Sequence, residues 1–272
     1  MNKNKKYMKK VLFTLALAAT LLASCGKDNE NDNIAQKMIG KWMTSEINGR
    51  TATTNEKVVY TFESDTQGYL SASGVDFTED HPKWTNYMPS AITVDGNTII
   101  MNGSFNKTTS FTAILDVKSI NETEMLTDSR YTVYHNGEIL YENDGTVKWT
   151  KVPKNYRDDI LGLWEGHITS ADSSRFDDGE LHRWEYRNDG TYIYYRLNDN
   201  GQWVYDVNEM ALYFVDGTLL CTRWKNTGDN EVEHREWWEI ASIENGVMNW
   251  TALRQRDDGS TYTTTFSMTK VQ

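Results

Sequence analysis

The chain contains one short stretch twice, as Ile39-Gly40-Lys41-Trp42 and again as Leu161-Gly162-Leu163-Trp164. Three further segments recur in the same order and at a nearly constant offset. They are Val94-Asp95-Gly96 with Val215-Asp216-Gly217, Ser119-Ile120-Asn121-Glu122 with Ser242-Ile243-Glu244-Asn245, and Trp149-Thr150-Lys151-Val152 with Met268-Thr269-Lys270-Val271. Chance similarity would not preserve that order, so the sequence predicts an internal duplication. The predicted units cover residues 34–152 and 158–272, joined by a linker of residues 153–157.

Both units have the sequence pattern of β structure. Runs rich in Thr, Tyr, Val, Ile and Trp alternate with polar residues, and dipeptides that tolerate positive φ separate them. These dipeptides are Asn48-Gly49, Asp95-Gly96, Asn136-Gly137, Asp144-Gly145, Asp189-Gly190, Asp216-Gly217, Asn245-Gly246 and Asp258-Gly259. Eight or nine candidate strands per unit predict an all-β fold of two tandem antiparallel up-and-down β-barrels.

One hairpin predicts which face of the second unit is buried. With Asp189-Gly190 as a two-residue turn, three pairs share the inner face: Tyr186 with Ile193, Trp184 with Tyr195, and His182 with Leu197. Side chains alternate across a strand, so Tyr192 and Tyr194 would then be solvated.

The repeated Gly-x-Trp triplets stand at the first strand of each unit, after a short turn. They resemble the first signature of lipocalins and of the lipocalin-like domains of Bacteroidetes lipoproteins. The resemblance implies structural roles for Gly40, Trp42, Gly162 and Trp164, with each tryptophan closing the bottom of a barrel. It also implies that an arginine near the last strands packs over each ring, and the candidates are Arg130 and Arg254. Each unit is shorter than a full lipocalin, and small barrels are often filled by their own side chains.

The N-terminus has the pattern of a lipoprotein signal. A basic segment of residues 1–10 precedes an apolar segment of residues 11–22, which is too short to span a bilayer. Leu22-Ala23-Ser24-Cys25 resembles the lipobox of bacterial lipoproteins. That resemblance implies a signal peptide of residues 1–24 and a membrane anchor of acyl chains on Cys25. The alternative is a plain secretory signal with a chance cysteine.

Residues 25–33 are polar and are predicted to form a flexible tether. Lys27 followed by acidic residues resembles the signal that exports Bacteroidetes lipoproteins to the outer face of the outer membrane. We therefore expect a lipid-anchored outer-membrane protein exposed at the cell surface, with a periplasm-facing location as the alternative.

Composition excludes several classes of function. The chain has 28 basic and 39 acidic residues and a net charge of −11, so nucleic acid is not an expected partner. The histidines lack metal-ligand spacing, and no nucleophile or phosphate-binding motif is present. We therefore expect no metal, no cofactor, no catalytic residues and no enzyme activity. Cys221 is expected to be a buried structural thiol, with a nucleophile as the alternative.

The two copies differ on one strand face. Phe111 and Ala113 of the first unit correspond to His234 and Glu236 of the second, so an apolar stripe acquires ionisable groups. Burying an unpaired carboxylate costs several kcal/mol, so this face must be hydrated or its polar groups must have partners. The functional interpretation is a pocket with a polar end. The alternatives are a hydrogen-bonded pair at a barrel mouth and a bulge that shifts the register.

These observations predict a ligand site in the second unit, for a small amphipathic or hydrophobic molecule or a glycan. The candidate residues are His234, Glu236, Trp238, Trp184, Tyr186 and Tyr195. Seven of the ten tryptophans lie in this unit, and the alternative is that these rings only fill a small barrel. The alternative function is a protein-interaction or inhibitor module that uses outer barrel surfaces and loops such as residues 81–89.

Overall fold

The computed structural model describes residues 30–72, 84–170, 181–205, 208–226 and 233–272. The predicted signal peptide and Cys25 lie outside the described residues. Helix α1 (Glu30–Lys37) begins inside the predicted tether, so the tether's last four residues are helical. Among the helices of the described ranges, none has the length and apolar character needed to cross a membrane.

The first unit is a closed antiparallel barrel. Its strands are β1 (Gly40–Ile47), β2 (Arg50–Thr51), β3 (Val58–Phe62), β4 (Gln67–Ala72), β5 (Thr85–Asp95), β6 (Thr98–Ser104), β7 (Thr109–Ile120), β8 (Glu124–His135) and β9 (Glu138–Lys151). From β3 onward each strand pairs with the next along the chain, and β1 pairs with both β3 and β9. Eight strands therefore close the barrel, and the two-residue β2 is attached to β1. The predicted up-and-down barrel fold is confirmed.

The second unit is a nine-stranded antiparallel sheet curled in the same way. Its strands are β10 (Gly162–Ser170), β11 (His182–Tyr186), β12 (Tyr192–Leu197), β13 (Trp203–Tyr205), β14 (Asn208–Asp216), β15 (Leu219–Asn226), β16 (Glu233–Glu244), β17 (Val247–Gln255) and β18 (Thr261–Lys270). Strand β10 joins β11 to β18, as β1 joins β3 to β9. Where β4 and β5 of the first barrel pair along their length, Thr191, just before β12, forms an isolated bridge with Leu212 of β14. Over the described residues, this bridge is the β-pairing that joins the two ends of the second sheet.

The two copies repeat each other in detail. Trp42 faces Tyr60 across β1 and β3, and Trp164 faces Trp184 across β10 and β11. The register shifts between Val117 and Ser119 in one copy, and between Ile240 and Ser242 in the other. These matching irregularities support the duplication inferred from the sequence.

Each Gly-x-Trp tryptophan closes one end of its barrel. The Trp42 Nε1 atom donates to the carbonyl of Met38 at 2.6 Å, and the Trp164 Nε1 atom donates to the carbonyl of Ile160 at 2.7 Å. Both indoles are fully buried. Their hydrogen bonds tie the first strand to the helical turn before it, so each ring is fixed at one end of the barrel.

The cation over each indole is a lysine and not the predicted arginine. Lys151 Nζ lies 5.2 Å from the Trp42 ring centre, because Lys151 is directly opposite Trp42 across β1 and β9. Gly40 lies beside this lysine with φ +123, and a Cβ there would lie 2.8 Å from Lys151 Cε. The glycine therefore supplies both the backbone conformation and the space that the lysine needs.

The second copy is built alike, with Lys270 Nζ 5.1 Å from the Trp164 ring. Arg130 lies in the middle of β8 opposite Asp144, is exposed and does not approach Trp42. Arg254 packs over Trp238, at 4.9 Å from its ring centre, and not over Trp164. Both predicted arginine contacts were therefore wrong, because Arg130 lies in the middle of β8 and Arg254 lies near the end of β17 that is away from Trp164.

One predicted turn lies inside a strand. Asp144-Gly145 belongs to β9, where Gly145 is opposite Ser129. A Cβ on Gly145 would lie 2.6 Å from the Asn48 side chain, and Asn48 Oδ1 accepts the N–H of Thr146 at 2.9 Å. The glycine here admits a neighbouring side chain and does not reverse the chain.

The barrels contact each other through a small apolar cluster. It contains Met43 and Val59 of the first barrel and Phe214, Leu219 and Cys221 of the second. Trp84 packs on Phe214 with ring centres 4.8 Å apart. Beside the cluster, Lys41 Nζ lies 2.6 Å from an Asp216 carboxylate oxygen, and Asp216 is 0% exposed. Within the predicted linker, Tyr156 is buried in the second barrel's core.

Candidate functional site

The first barrel encloses a cavity of about 460 Å³. Its apolar floor consists of Val58, Leu70, Ala113, Leu115 and Val147 together with the rings of Tyr60 and Trp149. Strand β1 runs from the Trp42 end to Ile47, and Ile47 lines the cavity whereas Trp42 does not. The cavity therefore opens at the end opposite the tryptophan plug.

The two rings of the floor stack on each other and carry a hydroxyl and an indole N–H. Tyr60 and Trp149 have ring centres 4.8 Å apart and planes inclined by 25°. The Trp149 Nε1 atom donates to Thr127 Oγ1 at 2.9 Å, which fixes the indole. Burial raises the pKa of Tyr60, so its hydroxyl is neutral at physiological pH. Tyr60 is buried and lines the cavity.

Two further tyrosines line the wall. Burial raises the pKa values of Tyr131 and Tyr141, and the neighbouring Tyr60 and Tyr141 raise that of Tyr131 further. Tyr131 stacks on Phe111 at 5.5 Å. The wall therefore offers neutral hydroxyls and aromatic faces to a guest.

Two of the charged groups at the rim, Arg50 and Glu56, form an ion pair. Arg50 Nη1 donates to Glu56 Oε2 at 2.8 Å, and its second nitrogen binds the other carboxylate oxygen. Glu56 also accepts the backbone N–H of Thr53 at 2.9 Å and its hydroxyl at 2.7 Å. The hydrogen bond from Arg50, followed by those from Thr53, lowers the pKa of Glu56 to about 2.

The predicted site residues of the second barrel pack as core. Trp184 lies 4.8 Å from Phe266, Tyr186 lies 4.8 Å from Tyr213, and Trp238 lies 5.6 Å from Trp250, as distances between ring centres. These arrangements are edge-to-face or tilted, as expected for close-packed aromatic rings. Over the described residues of this barrel, the rings occupy the interior, which favours the alternative that they are filler.

His234 and Glu236 are half-buried and have partners. His234 stacks on Trp224 with ring centres 5.4 Å apart. Glu236 accepts a hydrogen bond from Trp238 Nε1 at 3.2 Å, and its charge contributes to the raised pKa values of Tyr186 and Tyr192. The hydrogen bond from Trp238 gives this carboxylate a partner, which differs from the hydrogen-bonded pair at a barrel mouth that the sequence offered as an alternative.

Tyr195 is on the outer face, so its inclusion in the site was wrong. The hairpin loop has three residues, closed by Arg187 N donating to Thr191 O at 3.0 Å, with Gly190 at φ +82. The register therefore shifts by one residue, and Trp184 faces Tyr194 instead of Tyr195. A one-residue shift exchanges the two faces of a strand. Tyr195 donates to Glu185 at 2.7 Å on the outside, while Tyr192 is buried.

Cys221 is buried in the cluster between the barrels, as expected for a structural thiol. Burial, with a contribution from Asp216, raises the pKa of its thiol well above the ordinary value. A nucleophilic cysteine needs the opposite shift.

Sequence reasoning missed the cavity of the first barrel. Two signals were available, namely Ala113 at the position that Glu236 has in the second copy, and Gly145 on the inner face of β9. Ala113 and Gly145 both line the cavity, where larger side chains would reduce its volume.

Comparisons with known proteins give no family. No family model matches the chain, and no curated protein matches it significantly. Among solved structures, a protein of unknown function from the DUF3598 family of Nostoc punctiforme is similar at 12% identity. The match covers 90% of this chain and 100% of that one, with a TM-score of 0.25.

A double mutant of transferrin-binding protein B from Haemophilus parasuis is similar at 10% identity and a TM-score of 0.23. The match covers 82% of this chain and 62% of that one. A single mutant of the same protein is similar at 8% identity, with the same coverage and a TM-score of 0.25. The strand pairing within this chain, and not these matches of low TM-score, defines its fold.

Proposed function

We propose that this chain is a non-enzymatic lipoprotein of the outer membrane that binds a small amphipathic molecule or a glycan in its first barrel. The observation that carries the proposal is the cavity of about 460 Å³ in the first barrel, which the buried Tyr60 lines together with Tyr131, Tyr141 and Trp149. Ligand pockets have volumes of about 300–1,000 Å³ and combine apolar walls with a few polar groups. The sequence favoured the second barrel, and the described cavity moves the proposed site to the first.

The test is a binding titration with probes that share one ring and differ in their head group. We would use 2-naphthalenemethanol, 2-naphthoate and 2-naphthylmethylammonium, together with a panel of glycans. Tyr60→Phe removes only the hydroxyl, and Ala113→Leu fills the floor of the cavity. The matched control is Tyr186→Phe, which makes the same change in the second barrel.

Binding that falls at least tenfold in Ala113→Leu and several-fold in Tyr60→Phe, and stays unchanged in Tyr186→Phe, would support the proposal. Equal effects of Tyr60→Phe and Tyr186→Phe would contradict the placement of the site. The anchor is tested separately, because Cys25→Ala is expected to move the protein from the membrane fraction to the soluble fraction.

A second candidate function is a protein-interaction module. Strand β13 is an edge strand, and its Tyr205 is 62% exposed beside the exposed Val204 and Leu197. An exposed apolar edge can accept an extended strand of a partner. Of the predicted loop at residues 81–89, residues 81–83 lie outside the described ranges, and Thr85 already begins β5. A partner captured by the wild type and lost in Val204→Lys would favour this function.

A further inference from the structure

A short segment at the cavity's rim is held by the other barrel. This rim turn, a 3-10 turn at Thr54–Glu56 with its neighbours Thr53 and Lys57, follows β2. Thr54 is 1% exposed, and its Oγ1 accepts the backbone N–H of Leu253 in β17 at 2.8 Å. Lys57 Nζ lies 2.5 Å from a carboxylate oxygen of Glu239 in β16. Two strands of the second barrel therefore fix both ends of the rim turn.

The same turn forms one side of the mouth. Asn55 and Glu56 line the cavity, and Glu56 binds Arg50 on the facing segment. The turn's backbone has few hydrogen bonds of its own, from Glu56 N to Thr53 O at 3.0 Å and from Lys57 N to Thr54 O at 3.3 Å. A three-residue 3-10 turn is a weak structure by itself. Glu56 is held within the first barrel by Thr53 and Arg50, whereas Thr54 and Lys57 are held by the second barrel.

We infer that the second barrel is the support that positions the rim of the first barrel's cavity. Thr54 and Lys57 are positioning residues, because they contact the second barrel and do not line the cavity. The consequence for ligand affinity rests on the proposed function. A ligand that needs the ordered rim binds more tightly when the rim turn is docked, and by linkage it tightens the docking by the same factor.

The test uses the full chain and three variants. Thr54→Val replaces the hydroxyl with a methyl group of similar shape and leaves the Leu253 N–H without its acceptor. Glu239→Gln weakens the pair with Lys57 without altering any residue of the rim. The matched control is Thr218→Val, which makes the same hydroxyl-to-methyl change elsewhere between the barrels, where Thr218 Oγ1 faces Met43 Sδ at 3.8 Å.

Two measurements are compared. Hydrogen exchange of residues 52–58 is expected to rise about fivefold or more in Thr54→Val and Glu239→Gln, and less than twofold in Thr218→Val. The affinity for 2-naphthalenemethanol is expected to fall in the first two variants in proportion to the loss of the docked fraction of the rim turn, and to stay unchanged in the control.

Exchange decides the inference whether or not a probe binds. Wild-type exchange of residues 52–58 in both rim variants would overturn it. Raised exchange with wild-type affinity would overturn the coupling to the cavity. If exchange rises as expected and no probe binds any form of the protein, the support role stands and the proposed ligand function fails.

Discussion

The buried ion pair between the barrels makes an asymmetric prediction. Lys41 Nζ lies 2.6 Å from Asp216 Oδ1, with Asp216 0% exposed and Lys41 19% exposed. Among the described residues no hydrogen bond within the geometric limits reaches the second Asp216 oxygen, Oδ2, although burial and then the nearby Asp216 raise the pKa of Tyr87. Lys41 also donates to Thr61 Oγ1 at 2.9 Å. Removing one partner of a buried pair costs about 3–5 kcal/mol, because the other charge stays buried without compensation. The penalty differs between the two residues, because Lys41 is partly exposed to solvent and Asp216 is not.

Lys41→Met leaves the fully buried carboxylate without its cation. We expect a loss of about 3 kcal/mol, at the lower end of the range because the lysine is partly solvated. Asp216→Asn leaves a lysine that can turn to solvent and an amide that can still bond, so about 1 kcal/mol is expected. The surface pair Lys118–Asp128 is the control, since both side chains are about half exposed. We expect no measurable change in stability for Lys118→Met.

Urea unfolding followed by tryptophan fluorescence and by circular dichroism measures these differences. The two barrels can unfold separately, so the transitions from the two probes must be compared before a free energy is assigned. An Asp216→Asn loss equal to or larger than the Lys41→Met loss would refute the reasoning. It would mean that the carboxylate finds other compensation at the contact between the barrels.

Four further results are expected. Gly40→Ala should destabilise the first barrel by about 1–3 kcal/mol, because a φ of +123 is strained for alanine. Adding Lys151→Ala, which removes the neighbouring side chain, should not restore the stability. A Gly40→Ala variant as stable as wild type in urea would contradict this. Gly162→Ala should behave alike at φ +116. The pKa of Glu56, near 2 when folded against 4.5 ordinarily, adds stability above about pH 4.5 that is lost as pH falls towards 2. Acid unfolding of Glu56→Gln should lack that component, and an unchanged pH profile would contradict it. Among the naphthalene probes the neutral alcohol should bind best, because the tyrosines of the cavity wall are neutral, Arg50 is paired with Glu56, and Arg130 and Asp144 contribute opposite charges. Tighter binding of the acid or the amine in the same titration would contradict this.

The sequence was sufficient for the architecture because the duplication and the strand alternation leave direct marks on it. It was insufficient for contacts that depend on register. Asn188-Asp189-Gly190 forms a three-residue loop where a two-residue turn was predicted, and that single residue placed Tyr195 on the wrong face of β12. The glycine at the third position, with φ +82, is the local feature that distinguishes a three-residue hairpin loop. The lysine over each tryptophan could have been predicted from the sequence, because Lys151 and Lys270 belong to the last repeated segment.

The differences between the copies explain why the cavity lies in the first barrel. At corresponding positions the first barrel has Ala113 and the second has Glu236, and the second fills its interior with rings and loses one strand pairing. Residues of strands β16 and β17 in the second barrel contact the rim turn of the first barrel. Asp216 is another residue of the second barrel that contacts the first barrel. Its counterpart Asp95 is exposed at a turn, whereas Asp216 is buried against Lys41 of the other barrel. Divergence after duplication has therefore made the outer surface of the second copy part of the first copy's environment.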